Sequence, residues 1–179
     1  MNKKEIQASV RQLLDRGVPR SEVFARLSGQ GMKDSRLAYF IASRVDPARR
    51  EQHRGKVRVL VALMVVLALI GFVVGFGTGA RIGPNAKWIF AFGIALLTLL
   101  FAWGFHAARV GFYNAYILLS IIQIRKSFEG FAADPLSASI GLAFNGGLLA
   151  FTWYVRHCLF PDFNFLNPRK VKGQYVFSA

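Results

Sequence analysis

The sequence predicts an all-α protein: a polytopic helical membrane protein with four transmembrane helices and a small N-terminal three-helix cytosolic domain. Its 179 residues are 54% hydrophobic with a mean hydropathy of +0.36, and only 18% are charged. Soluble domains have about 45–50% apolar and about 25% charged residues. The charges are also segregated, with no Asp or Glu between Glu51 and Glu129. That gap holds the most apolar stretch of the chain, and the apolar residues fall in runs of spanning length.

The first domain, residues 1–56, reads as short amphipathic helices. Ile6, Val10, Leu13 and Leu14 recur at helical spacing, and Gly17 is placed to end that helix. Pro19 follows, and Ser21 is a candidate N-cap for a second helix carrying Val23, Phe24 and Leu27. Gly29-Gln30-Gly31 breaks the chain. Asp34 or Ser35 then starts a third helix with Leu37, Phe40, Ile41 and Val45, which Asp46-Pro47 is expected to end. A domain this small buries only about 60% of its unfolded surface, so it needs the membrane or a partner to stay ordered.

Residues 20–45 resemble a helix-turn-helix: a helix with Val23 and Leu27 inside, a glycine turn, and a helix with exposed Arg36 and Arg44. That resemblance implies a second helix that enters the major groove of DNA. The connection from Ser28 to Lys33 is longer than the usual pattern, and the second helix offers no Asn or Gln for base edges. The other reading of the same residues is a three-helix bundle with a solvated basic face.

Arg49, Arg50, Arg54, Lys56 and Arg58 lead directly into the first span. A basic cluster in that position is drawn to anionic lipid by about 1 kcal/mol per residue and fixes orientation. The first 58 residues hold 14 basic and 6 acidic side chains, out of a chain total of 23 and 9. Much of the net charge of +14 is therefore a statement about topology.

The membrane region is expected at residues 57–157, with spans near 57–80, 88–108, 110–126 and 136–157. Residues 59–80 carry no charge, long enough at 1.5 Å per residue to cross about 30 Å of hydrocarbon. Gly83-Pro84-Asn85 is a turn between the first two spans. The third segment is short and carries Asn114, Ser120 and Gln123. Charge asymmetry supports it as a span. With four spans and the N-terminus inside, Arg109, Arg156, Arg169, Lys170 and Lys172 join the basic domain on one side. Residues 158–179 form a cytosolic or interfacial tail, either disordered or docked through Phe163, Phe165, Tyr175 and Phe177.

Gly75, Gly77 and Ala80 spell the dinucleotide fingerprint, but no strand precedes them and no acid follows before Glu129. Gly71, Gly75 and Gly79 instead share one helix face, a spacing that lets helices approach closely in lipid, and Ser137 and Gly141 repeat it in the last span. Asn114, Gln123 and Asn145 are polar intramembrane residues suited to interhelical hydrogen bonds or to a substrate path. No carboxylate falls within a predicted span, which argues against proton coupling. His106, His157 and Cys158 could offer zinc ligands, but Arg109 and Arg156 lie beside them and no acidic ligand does. The lone Cys excludes a disulfide framework. There is no H-E-x-x-H, P-loop, G-x-S-x-G or C-x-x-C pattern.

The functional expectation is a non-enzymatic accessory or partner-binding protein of a plasma membrane, a bacterial inner membrane, with a cytoplasmic N-terminus. It has no catalytic, cofactor or metal site. Its partners are the bilayer, through anionic lipid, and a membrane protein or a second copy; nucleic acid is not expected. The alternatives are a small transporter or channel, and a membrane-anchored helix-turn-helix-like regulator.

Overall fold

A computed structural model describes residues 2–129 and 135–178 of the chain. It divides into two compact units, one of Met1–Arg50 with His157–Ala179 and one of Glu51–Arg156. The two ends of the sequence therefore belong to one folded body. Long helices predominate, and the described strands are a single two-residue pair.

In the first unit, α1 (Lys3–Asp15) begins with the Asn2 N–H donating to Glu5 Oε2 at 2.8 Å. It ends where Gly17 adopts φ +78°. There the Gly17 N–H donates to the Leu14 carbonyl and the Val18 N–H to the Leu13 carbonyl, a Schellman closure that needs a left-handed residue. α2 (Arg20–Leu27) starts two residues earlier than the Ser21 cap predicts. Pro19 supplies the cap position with φ already near helical, and its carbonyl accepts from the Val23 N–H. Gly29 and Gly31 take positive φ in the turn to α3 (Asp34–Ala42).

α3 ends at Ala42, short of Val45, so Asp46-Pro47, expected as its stop, is instead the start of the next helix. The Asp46 carboxylate accepts from the Ala48 N–H at 2.9 Å and Pro47 opens a fourth short helix, α4 (Pro47–Gln52). Proline is suited to a first helical position, where its missing N–H costs nothing. Ile6, Val10, Val23, Leu27, Met32, Leu37 and Ile41 form the core. Within α1, α2 and α3 they recur at four-residue spacing, so each of these three helices turns one apolar stripe inward. Phe177, from the far end of the chain, packs against the same core.

The second unit contains the long apolar helices. α5 (Arg54–Ala80) and α6 (Ala86–His106) form an antiparallel hairpin. Its register is fixed at glycines: Gly71 faces Ile94, Gly75 faces the Phe90 backbone and Gly79 faces Ala86 and Lys87. Their outward faces are apolar and exposed, with Val73 69% and Leu69 65% accessible. In water that pattern would be a severe aggregation hazard; in hydrocarbon it is the expected solvent face.

α7 (Val110–Glu129) follows α6 after a three-residue link in which Ala108 takes φ +49°. α8 (Pro135–Leu159) comes last and runs into the first unit. Among the described residues three helices are long and apolar enough to cross a membrane, namely α5, α6 and the Ala138–Leu159 part of α8. α7, the third of the four expected spans, is not among them. It is helical over 20 residues, but Asn114, Gln123, Arg125 and Lys126 interrupt its apolar character. Asp134, expected in the loop before the last span, lies outside the described residues.

Candidate binding groove in the unit closed by both ends

The tail is built around one carboxylate. Asp162 is 2% exposed and pairs with Arg20 at the start of α2. Its other carboxylate oxygen accepts from the Ser178 N–H at 2.6 Å, and its carbonyl accepts from the Arg169 N–H at 2.7 Å. Arg20 also donates from its second terminal nitrogen to the Arg44 carbonyl, at 2.8 Å, just after α3. A buried carboxylate is tolerated only when paired and hydrogen-bonded, and Asp162 meets both conditions. The pair joins residues 142 apart in sequence and fixes the tail to α2 and to the end of α3.

Aromatic rings complete the attachment. Phe163 meets Tyr39 edge-on with centroids 5.3 Å apart, while Phe24 packs against Tyr175 at 5.4 Å and Phe177 at 5.6 Å. The chain then reverses in a small hairpin, β1 (Lys170–Val171) against β2 (Gln174–Tyr175), closed by Lys172 and Gly173 at positive φ.

Between α3 and this tail lies a groove of about 750 Å³. Its chemistry is carried by Arg36 and Tyr39 from α3, and by Asn164, Asn167, Lys170 and Tyr175 from the tail. No carboxylate is among the residues that line it. Arg36 is exposed in the first turn of α3. The Lys170 ammonium lies 4.5 Å from the Tyr175 ring centre, a cation–π distance. The lining thus offers two cations, two amides and two phenol rings: groups that bind an anion carrying a polar, planar part.

The residues singled out from sequence fall elsewhere. A Cβ on Gly75 would come 2.8 Å from the Phe90 carbonyl oxygen, and one on Gly79 would come 2.6 Å from that of Ala86. A Cβ on Gly71 would meet the flexible end of Ile94 at 2.7 Å. Gly141 has nothing within 4 Å of that position, and the Ser137 side chain lies outside those described. Asn114 is 8% exposed and its Oδ1 has no partner within the structure, while Asn145 is half-buried and Gln123 is exposed.

The basic cluster divides at the unit boundary, with Arg49 and Arg50 in the first unit and Arg54, Lys56 and Arg58 in the second. Arg54 pairs with Glu51 at 3.1 Å, and Lys56 donates to the Tyr154 hydroxyl at 2.7 Å. Among the described residues no group of three His, Cys, Asp or Glu side chains is placed to hold a metal. The groove went unrecognised in sequence because its two walls are more than 100 residues apart; only the aromatic content of the tail signalled that it had something to pack against. No family model, no curated protein and no solved structure matches the chain.

Proposed function

We propose that this is a non-enzymatic, partner-binding protein of a plasma membrane, a bacterial inner membrane, which displays on the cytoplasmic face a small domain closed by both ends of its chain. The observation that carries the reading is the union of Met1–Arg50 with His157–Ala179 in one body. Both ends then lie on the same side of the bilayer, and the number of crossings between them is even. α5 and α6 form a hairpin, so they return the chain to its starting side. If α8 crosses as its length and composition allow, α7 has to cross as well. Four crossings follow, with α7 the short one.

Its uncharged stretch, residues 110–124, rises about 22 Å at 1.5 Å per residue, against about 30 Å of hydrocarbon. Tilting is no remedy for a helix that is too short, but local thinning and snorkelling of Arg125 and Lys126 are. Aromatic–cation pairs support interfaces at the hairpin's two ends: Lys87 is 5.8 Å from the Trp88 ring centre, and Arg109 is 4.4 Å from that of Trp103. The cations of both chain ends favour the cytoplasmic side, and the basic cluster favours anionic lipid.

The reading is tested by affinity capture of the full-length protein from native membranes, beside reporter fusions at both termini. A reproducible membrane partner that Asp162→Ala releases supports it. Recovery of the protein alone, or a C-terminus outside, overturns it.

A further inference from the structure

We propose that the groove between α3 and the C-terminal hairpin is a binding site for a soluble organic phosphate of nucleotide size. This goes beyond the partner-binding reading and does not depend on the number of spans. Size is the first argument. About 750 Å³ lies within the range of about 300–1,000 Å³ typical of small-molecule sites, and is far more than a bare inorganic anion needs.

Charge is the second. Arg36 and Lys170 bring two positive charges to the groove with no carboxylate lining it. A phosphate monoester carries about −1.5 to −2 at pH 7, which matches two cations better than a single carboxylate does. The Arg36 guanidinium offers a planar fork of donors suited to two phosphate oxygens, and the Lys170 ammonium adds a mobile point charge.

The remaining lining supplies the third argument. Tyr39 and Tyr175 are each held by a phenylalanine, Tyr39 edge-on by Phe163 and Tyr175 in a tilted contact with Phe24. Such supported rings give a planar ligand a surface to pack on. Asn164 and Asn167 lie in one bend, tied by the Asn164 N–H donating to the Asn167 carbonyl at 3.0 Å. The Asn167 side-chain amide carries both a donor and an acceptor, the pairing a heterocycle's polar edge requires. In this assignment Arg36 and Lys170 take the phosphate, and the tyrosines with the asparagines take the ring.

The test uses the full-length protein in phosphatidylcholine nanodiscs, titrated by calorimetry with adenosine, guanosine and cytidine monophosphates. At least one is expected to bind saturably, with adenosine or guanosine or cytidine alone, and inorganic phosphate alone, at least tenfold weaker. Arg36→Ala and, separately, Lys170→Ala are expected to weaken binding at least tenfold, while Arg26→Ala, outside the groove, leaves it unchanged. Absence of saturable binding by all three nucleotides overturns the proposal, as does binding that neither groove variant weakens. Two competition arms address other sources of the same charge. Displacement by glycerol 1-phosphate at equal concentration overturns it in favour of a lipid headgroup, and binding of a hepta-glutamate peptide through Arg36 without nucleotide binding overturns it in favour of an acidic segment.

Discussion

In the unit built from both ends of the chain, apolar side chains point inward and one buried ion pair closes the structure. In the α5–α6 hairpin many point outward, and at Gly75 and Gly79 what lies inside is backbone. Ile6, Val23, Leu37 and Ile41 are fully buried, whereas Val73 and Leu69 on α5 are mostly exposed. The first unit is thus organised by the hydrophobic effect acting in water. The second faces a solvent as apolar as its own side chains, so close contact at Gly75 and Gly79 replaces that driving force. One protein therefore carries two kinds of stability, and each responds to a different substitution.

The contrast is broken most strongly at Asp162. Asp162→Ala leaves the part-buried Arg20 without its counter-charge and the Ser178 N–H without its acceptor, and should cost the first unit about 3 kcal/mol. Hydrogen exchange over residues 160–178 should lose its protection. Trp88, Trp103 and Trp153 all belong to the second unit, so their fluorescence should stay unchanged. A joint loss of both signals would mean that the two units do not fold separately.

Next in size is Gly75→Leu. Its side chain would meet the Phe90 backbone, which cannot move aside, and the cost should be about 3 kcal/mol. Unfolding of the detergent-solubilised protein by SDS, followed by tryptophan fluorescence, reads this directly. Gly77→Leu, with open space at its Cβ, should stay within about 0.5 kcal/mol. Equal effects at the two glycines would remove the case for backbone packing.

Ala108→Gly should act in the opposite direction. Ala108 holds φ +49° in the α6–α7 link, and relieving a left-handed alanine should stabilise the second unit by about 1 kcal/mol in the same assay. The smallest effect is expected at Lys56→Met, which removes the hydrogen bond to Tyr154 at a partly exposed site and should cost less than about 1 kcal/mol.

The sequence made the two kinds of unit legible to different degrees. α5 and α6 could be read because an uncharged run of spanning length has few other outcomes, and the glycine spacing indicated a face. α1, α2 and α3 could be read from three- and four-residue periodicity. Pro19 moved a helix start by two residues, and Asp46-Pro47 began a helix rather than ending one, because α3 had already stopped at Ala42. The docking of the tail was not legible. Asp162 is the tail's only acid, and nothing local distinguishes a partner at Arg20 from one at any other cation. The groove was hidden for the same reason: Arg36 and Lys170 read separately as a solvated helix face and a basic tail.

The Arg20–Asp162 pair also has a consequence in time. A ribosome adds about 5–20 residues per second, so Asp162 is made roughly 7–28 s after Arg20. Through that interval the N-terminal helices exist without the carboxylate, Phe163 or Phe177, and all four long helices are synthesised in between. Residues 162–178 complete a unit whose other part is made well before them. The first unit is therefore the later of the two to be completed, although its core helices are the first to be made.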